Sequence, residues 1–411
     1  MWQTEGRALH AVAPVAGYQL PQTVAKYKHW KDHACFADIT KLKALVAHAV
    51  GARQVIAALA PADPLLLKVQ YTLKDCTQAQ QAYIKSLTTN KDPDRLIIIA
   101  LGGTEAIFAA LRSARPSDRE LQLKTLKAIN HLYYCPIHDM YLTLGDGLQF
   151  LVESLDTYTD PALLRYVLFI LGGLLCVPNT SDCHPASQNA LRELDIATPL
   201  ASLLYLHRAD ANTVDAVLYF IGNFTHDNPA NQTLMTEKQV IPLICASITS
   251  HSDNSNIQEN ALAALGDIVR NHDSNKLFVG QQFLHFIFAA LENQPFEASS
   301  QHHGFFCLYH CALGSPANIS TFLKAGVLKL VASAMQRLPT EADVLTPCIL
   351  LLYTLVEDTD PNLVLVYESV GIAAIQGALD QELNLNADNS EQVGRMLRRL
   401  QDYESQLSFS V

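Results

Sequence analysis

The stretch YFIGNFTHDNPANQTLMTEKQVIPLI, Tyr219–Ile244, holds two apolar helix patterns on either side of a polar turn. Its apolar residues recur at spacings of three and four, which is the stripe that a helix turns toward a core. Asp227, Asn228 and Pro229 mark the turn, because Asp and Asn side chains bond nearby main-chain amides and Pro opens the next helix. The stretch therefore predicts helices joined by capped turns.

Both halves of this stretch recur along the chain. Copies of the second half begin at intervals of 44, 48, 44, 43, 44 and 45 residues, at Gly103, Gly147, Asp195, Gln239, Gln282, Gly326 and Gly371, with a weaker copy at Gly51. Copies of the first half are centred on Ile129, Leu171, Ile221, Leu265, Leu308 and Leu352. Two phrases with one period predict an internal repeat of about 44 residues.

The repeat predicts an all-α fold. Turn-forming clusters separate the helical phrases, and no alternating strand pattern of useful length occurs. About three helices fit in each repeat, and such a unit cannot bury its apolar face alone. The repeats therefore stack into a solenoid. Leu265 and Leu308 occupy equivalent stripe positions and are predicted to be buried.

The repeat resembles that of the armadillo family, whose pattern has a helix opening near NPxN, a glycine before IPxL, and a helix ending ALxNIA. Tyr219–Ile244 is the best match, and CLYHCALGSPANISTFLKAGVLKLV (Cys307–Val331) is nearly as good. The single glycine before the second helix favours armadillo over HEAT repeats. The resemblance covers roughly residues 60–405, and it implies a right-handed superhelical solenoid of about seven to eight repeats.

The period also predicts the domain boundaries. Residues 1–60 lack it over their first half and carry seven Lys/Arg against three Asp/Glu, so we expect a mildly basic, partly disordered arm with a capping helix. The solenoid is predicted over 61–405, followed by a tail at 406–411. The interval between Leu171 and Ile221, the centres of two copies of the first half, is 50 residues. It contains CVPNTSDCHPASQ (Cys176–Gln188), which is rich in turn formers and predicts an insertion loop at 176–188.

The armadillo resemblance implies a groove lined by the third helix of each repeat. In importin-α-like members, a Trp and an Asn four residues later recur there and hold an extended peptide. The Trp position here holds Lys127, Phe169, Tyr219, Ala263, Phe306 and Leu350, and the Asn position holds His131, Gly173, Asn223, Asp267, His310 and Thr354. From these two sets, the predicted partner-binding residues are Tyr219, Asn223, Asp267, Phe306, His310, His131 and Thr354.

The sequence shows no catalytic signature. The nucleotide-binding, hydrolase and zinc-protease motifs are missing, so we expect no enzyme and no cofactor. His303, Cys307, His310 and Cys311 could share one helix face with the spacing of zinc ligands. The cysteines fall on the apolar stripe, however, so we expect core thiols and no metal. The nine cysteines are likewise expected to be buried and reduced.

Charge and apolar run length limit the class of partner. The net charge of −11 argues against nucleic acid, whose binding depends on neutralising phosphates. No apolar run reaches the roughly 18 residues that span a bilayer. The leading hypothesis is a cytoplasmic, non-catalytic scaffold or adaptor that holds an extended peptide or a helix of a partner protein. The alternatives are an importin-α-like nuclear transport adaptor and a structural subunit of a large cytoskeletal or ciliary assembly.

Overall fold

The computed structural model of the chain describes residues 108, 111–112, 114, 118–133, 146–175, 183–356, 360–381, 383 and 385–408. The predicted arm at 1–60 and the tail residues 409–411 lie outside them. The chain divides into two compact units, 1–150 and 151–411, which are described separately.

The first unit contains the helix α1 (Arg119–Tyr133) and the start of α2 (Asp146–Thr157). Leu126 and Ile129 of α1 are fully buried. The ring of Phe108 meets that of Phe150 edge-on, with 6.2 Å between centroids. A Cβ at Gly147 would lie 2.6 Å from the Phe108 ring, so this close approach requires a glycine.

The second unit contains the rest of α2 and sixteen further helices, with no β-strand among its described residues. Their order along the chain follows the predicted three helices per repeat. They are α3 (Pro161–Gly173), α4 (Pro185–Glu193), α5 (Ala197–Leu206), α6 (Ala211–Thr225), α7 (Pro229–Glu237), α8 (Val240–Ser250), α9 (Ser255–Val269), α10 (Asp273–Gln282), α11 (Leu284–Asn293), α12 (Ala298–Ala312), α13 (Pro316–Ala325), α14 (Val327–Arg337), α15 (Ala342–Val356), α16 (Asp360–Ser369), α17 (Ile372–Leu379) and α18 (Ala387–Ser408). The predicted all-α repeat architecture is confirmed.

The third helices α3, α6, α9, α12 and α15 pack side by side, each against the next. Gly222 and Gly266 lie at these contacts. A Cβ there would make ordinary van der Waals contact with the next third helix, 3.8 Å from the Ala264 Cα and 3.7 Å from the Cys307 Cα. We call the surface that these five helices present the ladder face.

An asparagine joins each of the third helices α6, α9, α12 and α15 to the first helix of the next repeat. Asn231, Asn275 and Asn318 are at most 2% exposed, and Asn362 is half-buried. Each Nδ2 donates to the carbonyl seven residues earlier, which the end of the preceding helix leaves unpaired. The bonds run from Asn231 to Phe224 (2.7 Å), Asn275 to Ile268 (3.1 Å), Asn318 to Cys311 (2.8 Å) and Asn362 to Leu355 (2.7 Å).

The turns use the left-handed backbone region at repeating positions. After the third helices it is occupied by Asp227, Asn271 and Gly314, with φ of 47°, 55° and 71°. Before the second helices, Gly326 adopts it, as the glycine of the repeat pattern predicts, and Gly371 has a positive φ of 83° with an extended ψ of 150°. Asp195 and Gln239 also have a positive φ, of 53° and 57°, so a polar residue replaces the glycine there.

Part of the predicted insertion loop at 176–188 is helical. Residues 176–182 lie outside the described residues, but Pro185–Gln188 open α4 and are not loop. Pro185 stands at a position where a helix needs no main-chain donor, and Nδ1 of His184 accepts from the Ser187 amide at 3.3 Å. The turn formers in this stretch therefore cap a helix.

No single described helix is long and apolar enough to cross a membrane. One pair, Asp360–Ser369 with Ile372–Leu379, meets the length and composition criteria together but is bent by 83°.

Leu265 and Leu308 are both 0% exposed, as predicted. Replacing either with Ala removes buried apolar atoms and leaves a cavity, so we expect a loss of about 2–5 kcal/mol in the free energy of unfolding. Denaturant melts followed by circular dichroism measure it. Leu365 is 42% exposed on α16, and Leu365→Ala should change stability much less. Equal losses from buried and exposed positions would show that the assigned helix phase is wrong.

Candidate functional site

The ladder face carries equivalent residues in rows that run across the third helices. The aromatic row is Phe169, Tyr219, Ala263, Phe306 and Leu350, and the polar row, one helical turn later, is Gly173, Asn223, Asp267, His310 and Thr354. Phe169 and Tyr219 lie on the neighbouring helices α3 and α6 and are 52% and 51% exposed. The structure therefore leaves two large aromatic side chains open on one face.

Tyr219 and Asn223 lie one turn apart on α6, where the sequence predicts the centre of the site. Asn223 is half-buried, and its Nδ2 donates to the Tyr219 carbonyl at 3.0 Å. Its Oδ1 lies 3.8 Å from the Cys183 thiol. Gln188 of α4 donates to the carbonyls of Asn223 and His226, each at 2.9 Å, and so fixes the end of α6. Gln188 of α4 thus fixes the end of the helix that carries Tyr219 and Asn223.

A charged cluster joins the C-terminal ends of α6 and α9. His226 Nδ1 lies 2.8 Å from Asp267 Oδ1, and Arg270 Nε lies 3.2 Å from Asp227 Oδ1. The hydrogen bond from Asp267 raises the pKa of His226 above its usual value, against the opposing effect of burial. The predicted site residue Asp267 is therefore bonded to His226, and its side chain is only 18% exposed.

Three rings follow one another along α12. The His302 and Phe306 rings are stacked with centroids 6.0 Å apart, and Phe306 meets His310 at 4.3 Å and an angle of 75°. His310 is 8% exposed, and burial lowers its pKa to about 3. Burial likewise lowers the pKa of His303 to about 4. These two imidazoles are therefore neutral at physiological pH.

The structure places five of the seven predicted residues on one face of the second unit. Tyr219, Asn223, Asp267, Phe306 and His310 share the ladder face of α6, α9 and α12. Thr354 lies in the same row on α15 and is buried. It is 2% exposed, and its hydroxyl donates to the Leu350 carbonyl of its own helix at 2.8 Å. His131 lies in α1, in the other unit, and its side chain is outside the described residues.

A third row was missed by the sequence reasoning. It lies one turn before the aromatic row and contains Asp215 on α6 and Glu259 on α9. Burial and the charge of Asp215 raise the pKa of Glu259, and Asp215 accepts a bond from Asn260 Nδ2 at 2.8 Å. The shared 44-residue spacing, one turn ahead of the aromatic row, was the available signal.

The predicted core cysteines are confirmed. Cys307 and Cys311 are 0% exposed, and the described cysteines are free thiols. Within the described ranges, no group of three His, Cys, Asp or Glu side chains could hold a metal ion.

This fold is an α-solenoid of three-helix repeats, and the sequence comparisons identify its class. The Armadillo-like family matches residues 145–293. Junction plakoglobin from Homo sapiens is 24% identical over 286 residues, covering 67% of this chain and 36% of that protein. The Xenopus laevis protein is 24% identical over 75% of this chain and 40% of its own length. The chain thus spans little more than a third of these relatives.

Solved structures share the fold. A chain from a study of a phosphorylation switch in the interaction between cadherin and beta-catenin superposes with a TM-score of 0.62 at 15% identity, covering 92% of this chain and 63% of that one. A designed armadillo repeat protein superposes with a TM-score of 0.50 at 15% identity, over 62% and 99% of the two chains. The chain therefore has the armadillo-repeat fold, as the sequence predicts.

The His226–Asp267 pair predicts pH-dependent stability. Because the folded-state pKa of His226 is raised, its stabilising effect is present below about pH 6.5 and is lost as pH rises through the raised pKa. Asp267→Asn removes the charge, so its cost should be about 1 kcal/mol larger at pH 6 than at pH 8.5. Denaturant melts at the two pH values measure it, with Asp253→Asn, at an exposed position, as the control. A cost independent of pH would refute the assignment.

Proposed function

We propose that this chain is a non-catalytic scaffold or adaptor that binds a segment of a partner protein along the ladder face. The observation that carries the proposal is the open aromatic pair, Phe169 and Tyr219, on adjacent third helices. The fold buries Phe220 and Phe224 of the same region completely, so it has the means to cover aromatic rings. Exposed neighbouring aromatics are typical of protein-binding surfaces.

The polar row supplies the means to orient a bound segment. Asn223 has both a donor and an acceptor within one turn of Tyr219, and its present partners are a carbonyl of its own helix and a weakly bonding thiol. A peptide main chain can exchange with them, while Tyr219 flanks one of its side chains. An extended peptide or a helix could bind along this face, and both are common in peptide recognition.

The third row of the ladder face, with Asp215 on α6 and Glu259 on α9, favours a partner with basic or mixed charge. Asp215 and Glu259 lie close enough for the charge of Asp215 to raise the pKa of Glu259. In the part of the chain that the structure describes, no Lys or Arg forms an ion pair with either. A cationic side chain of the partner beside Tyr219 would relieve this repulsion and steer association.

The relatives support a protein partner in general terms. The cadherin–beta-catenin structure concerns the binding of one protein by another on the same fold. We carry only that class of activity over to this chain, together with the absence of catalysis that is typical of such scaffolds. The free thiols of Cys183, Cys245, Cys307, Cys311 and Cys348 favour a reducing, cytoplasmic location. The nuclear adaptor and the structural subunit stay as alternative predictions.

The double variant Tyr219→Ala, Asn223→Ala tests the proposal. It removes an aromatic contact and a hydrogen-bonding group from the ladder face, so we expect the dissociation constant to rise at least tenfold, about 1.4 kcal/mol. The partner is first isolated by affinity purification of the tagged chain with mass spectrometry, and binding is then measured by titration calorimetry with the purified partner.

A matched control is the double variant Tyr205→Ala, Asn293→Ala. Both residues are exposed and lie on the second helices α5 and α11, away from the ladder face. It should bind as tightly as wild type, and both double variants should give unchanged circular dichroism spectra. If the ladder-face variant binds every purified partner normally, the structural subunit with contacts on other faces becomes the better account.

A further inference from the structure

Two histidines on the helices that flank α9 lie in opposite environments. His226, at the end of α6, has its Nδ1 2.8 Å from Oδ1 of Asp267. His310 of α12 is 8% exposed, and both of its ring nitrogens are buried without a hydrogen-bond partner among the described residues. A protonated imidazole carries a positive charge and two N–H donors, so a carboxylate favours it and a buried position without partners disfavours it. Proton uptake therefore has opposite consequences at the two positions.

The charged groups around His226 favour its protonated form. Asp267 of α9 accepts the hydrogen bond, and Oδ2 of Asp227 in the same turn lies 3.7 Å from the His226 Nε2. Arg270, which follows α9, opposes them, with its Nη1 3.4 Å from that Nε2. The hydrogen bond to Asp267 is the largest of these effects, so the pKa of His226 is raised.

The groups around His310 have the opposite effect. Burial is the largest cause of its lowered pKa of about 3, and the positive charges of Arg270 and of Lys276 on α10 add to it. The helices α11, α13 and α15 also pack against α12, but no charge on their described residues is among these causes. Seven residues earlier on α12, burial and the neighbouring His302 lower the pKa of His303 to about 4. The folded state of α12 thus keeps two imidazoles neutral.

We propose that mild acid moves stability along the solenoid, from α12 to the junction of α6 and α9. Proton uptake tightens the contact between His226 and Asp267, and it drives the His310 ring out of its buried position toward solvent. The ring of Phe306, whose centroid lies 4.3 Å from that of His310, then loses the side chain on which it rests. The ladder face is therefore loosened at α12 and held more firmly at α6, whether or not a partner is bound.

The direction of each effect follows from the two pKa shifts. Because folding lowers the pKa of His310 from 6.5 to about 3, its burial as a neutral ring costs stability as pH falls below 6.5. Between pH 7.5 and pH 5.0, this histidine alone should raise the equilibrium constant for opening of α12 about thirtyfold. His226 has the opposite sign, because its raised pKa gives stability that is present below about pH 6.5 and is lost as pH rises through the raised pKa.

Hydrogen–deuterium exchange of the full chain at pH 7.5 and pH 5.0, read by mass spectrometry, tests the proposal. Protection factors are corrected for the pH dependence of intrinsic exchange. At pH 5.0 they should fall at least tenfold in peptides of α12 and rise in peptides that span the end of α6. A uniform change along the solenoid, or a gain of protection in α12, would overturn the proposal.

Single replacements separate the two halves of the effect. Neither His310→Gln, which keeps a neutral polar side chain, nor His310→Leu can take up the proton, so the loss in α12 should be at least fivefold smaller in both. Asp267→Asn should abolish the gain at the end of α6 and leave the loss in α12. His285→Leu, at an exposed position of α11, is the control and should change neither. If both His310 variants lose as much protection in α12 as wild type, His310 is not the responsive group and the proposal fails.

Discussion

The structure depends on one recurring bond, from a buried asparagine to the carbonyl seven residues before it. The ends of α6, α9, α12 and α15 would otherwise leave that carbonyl unpaired. Asn275 and Asn318 also donate to the first helix of the previous repeat, at the Gln232 and Lys276 carbonyls. One amide group thus joins two repeats and a turn.

This constraint is what makes the ladder face available. Asparagines of the following first helices pair with carbonyls at the ends of the third helices. The ladder-face side chains are therefore not needed to cap these helices. The third helices pack side by side, and equivalent side chains then fall into rows about one repeat apart. The aromatic row provides contact area, the polar row provides direction, and Asp215 with Glu259 provides charge. Scaffold and surface follow from the same 44-residue period.

The sequence predicts the scaffold better than the surface. Helix phase is a local property, so the burial of Leu265 and Leu308 could be predicted from spacing alone. Exposure on the ladder face depends on neighbouring repeats, and for this reason Thr354 and His310 could be placed in the correct row but not predicted to be buried. The turn formers before α4 predict a loop, because His184 and Pro185 occur both in loops and at helix N-termini. The sequence alone does not distinguish the two.

The central claim is that the ladder face holds the partner, and site-specific photo-crosslinking in cells tests it most directly. A benzophenone amino acid is placed at Phe169, at Tyr219 or, as the control, at Ala246, which is exposed on the second helix α8. After irradiation, crosslinked proteins are identified by mass spectrometry. The account predicts that one and the same protein is joined at 169 and 219 and is absent at 246. A partner joined at 246 and at neither ladder-face position would contradict it.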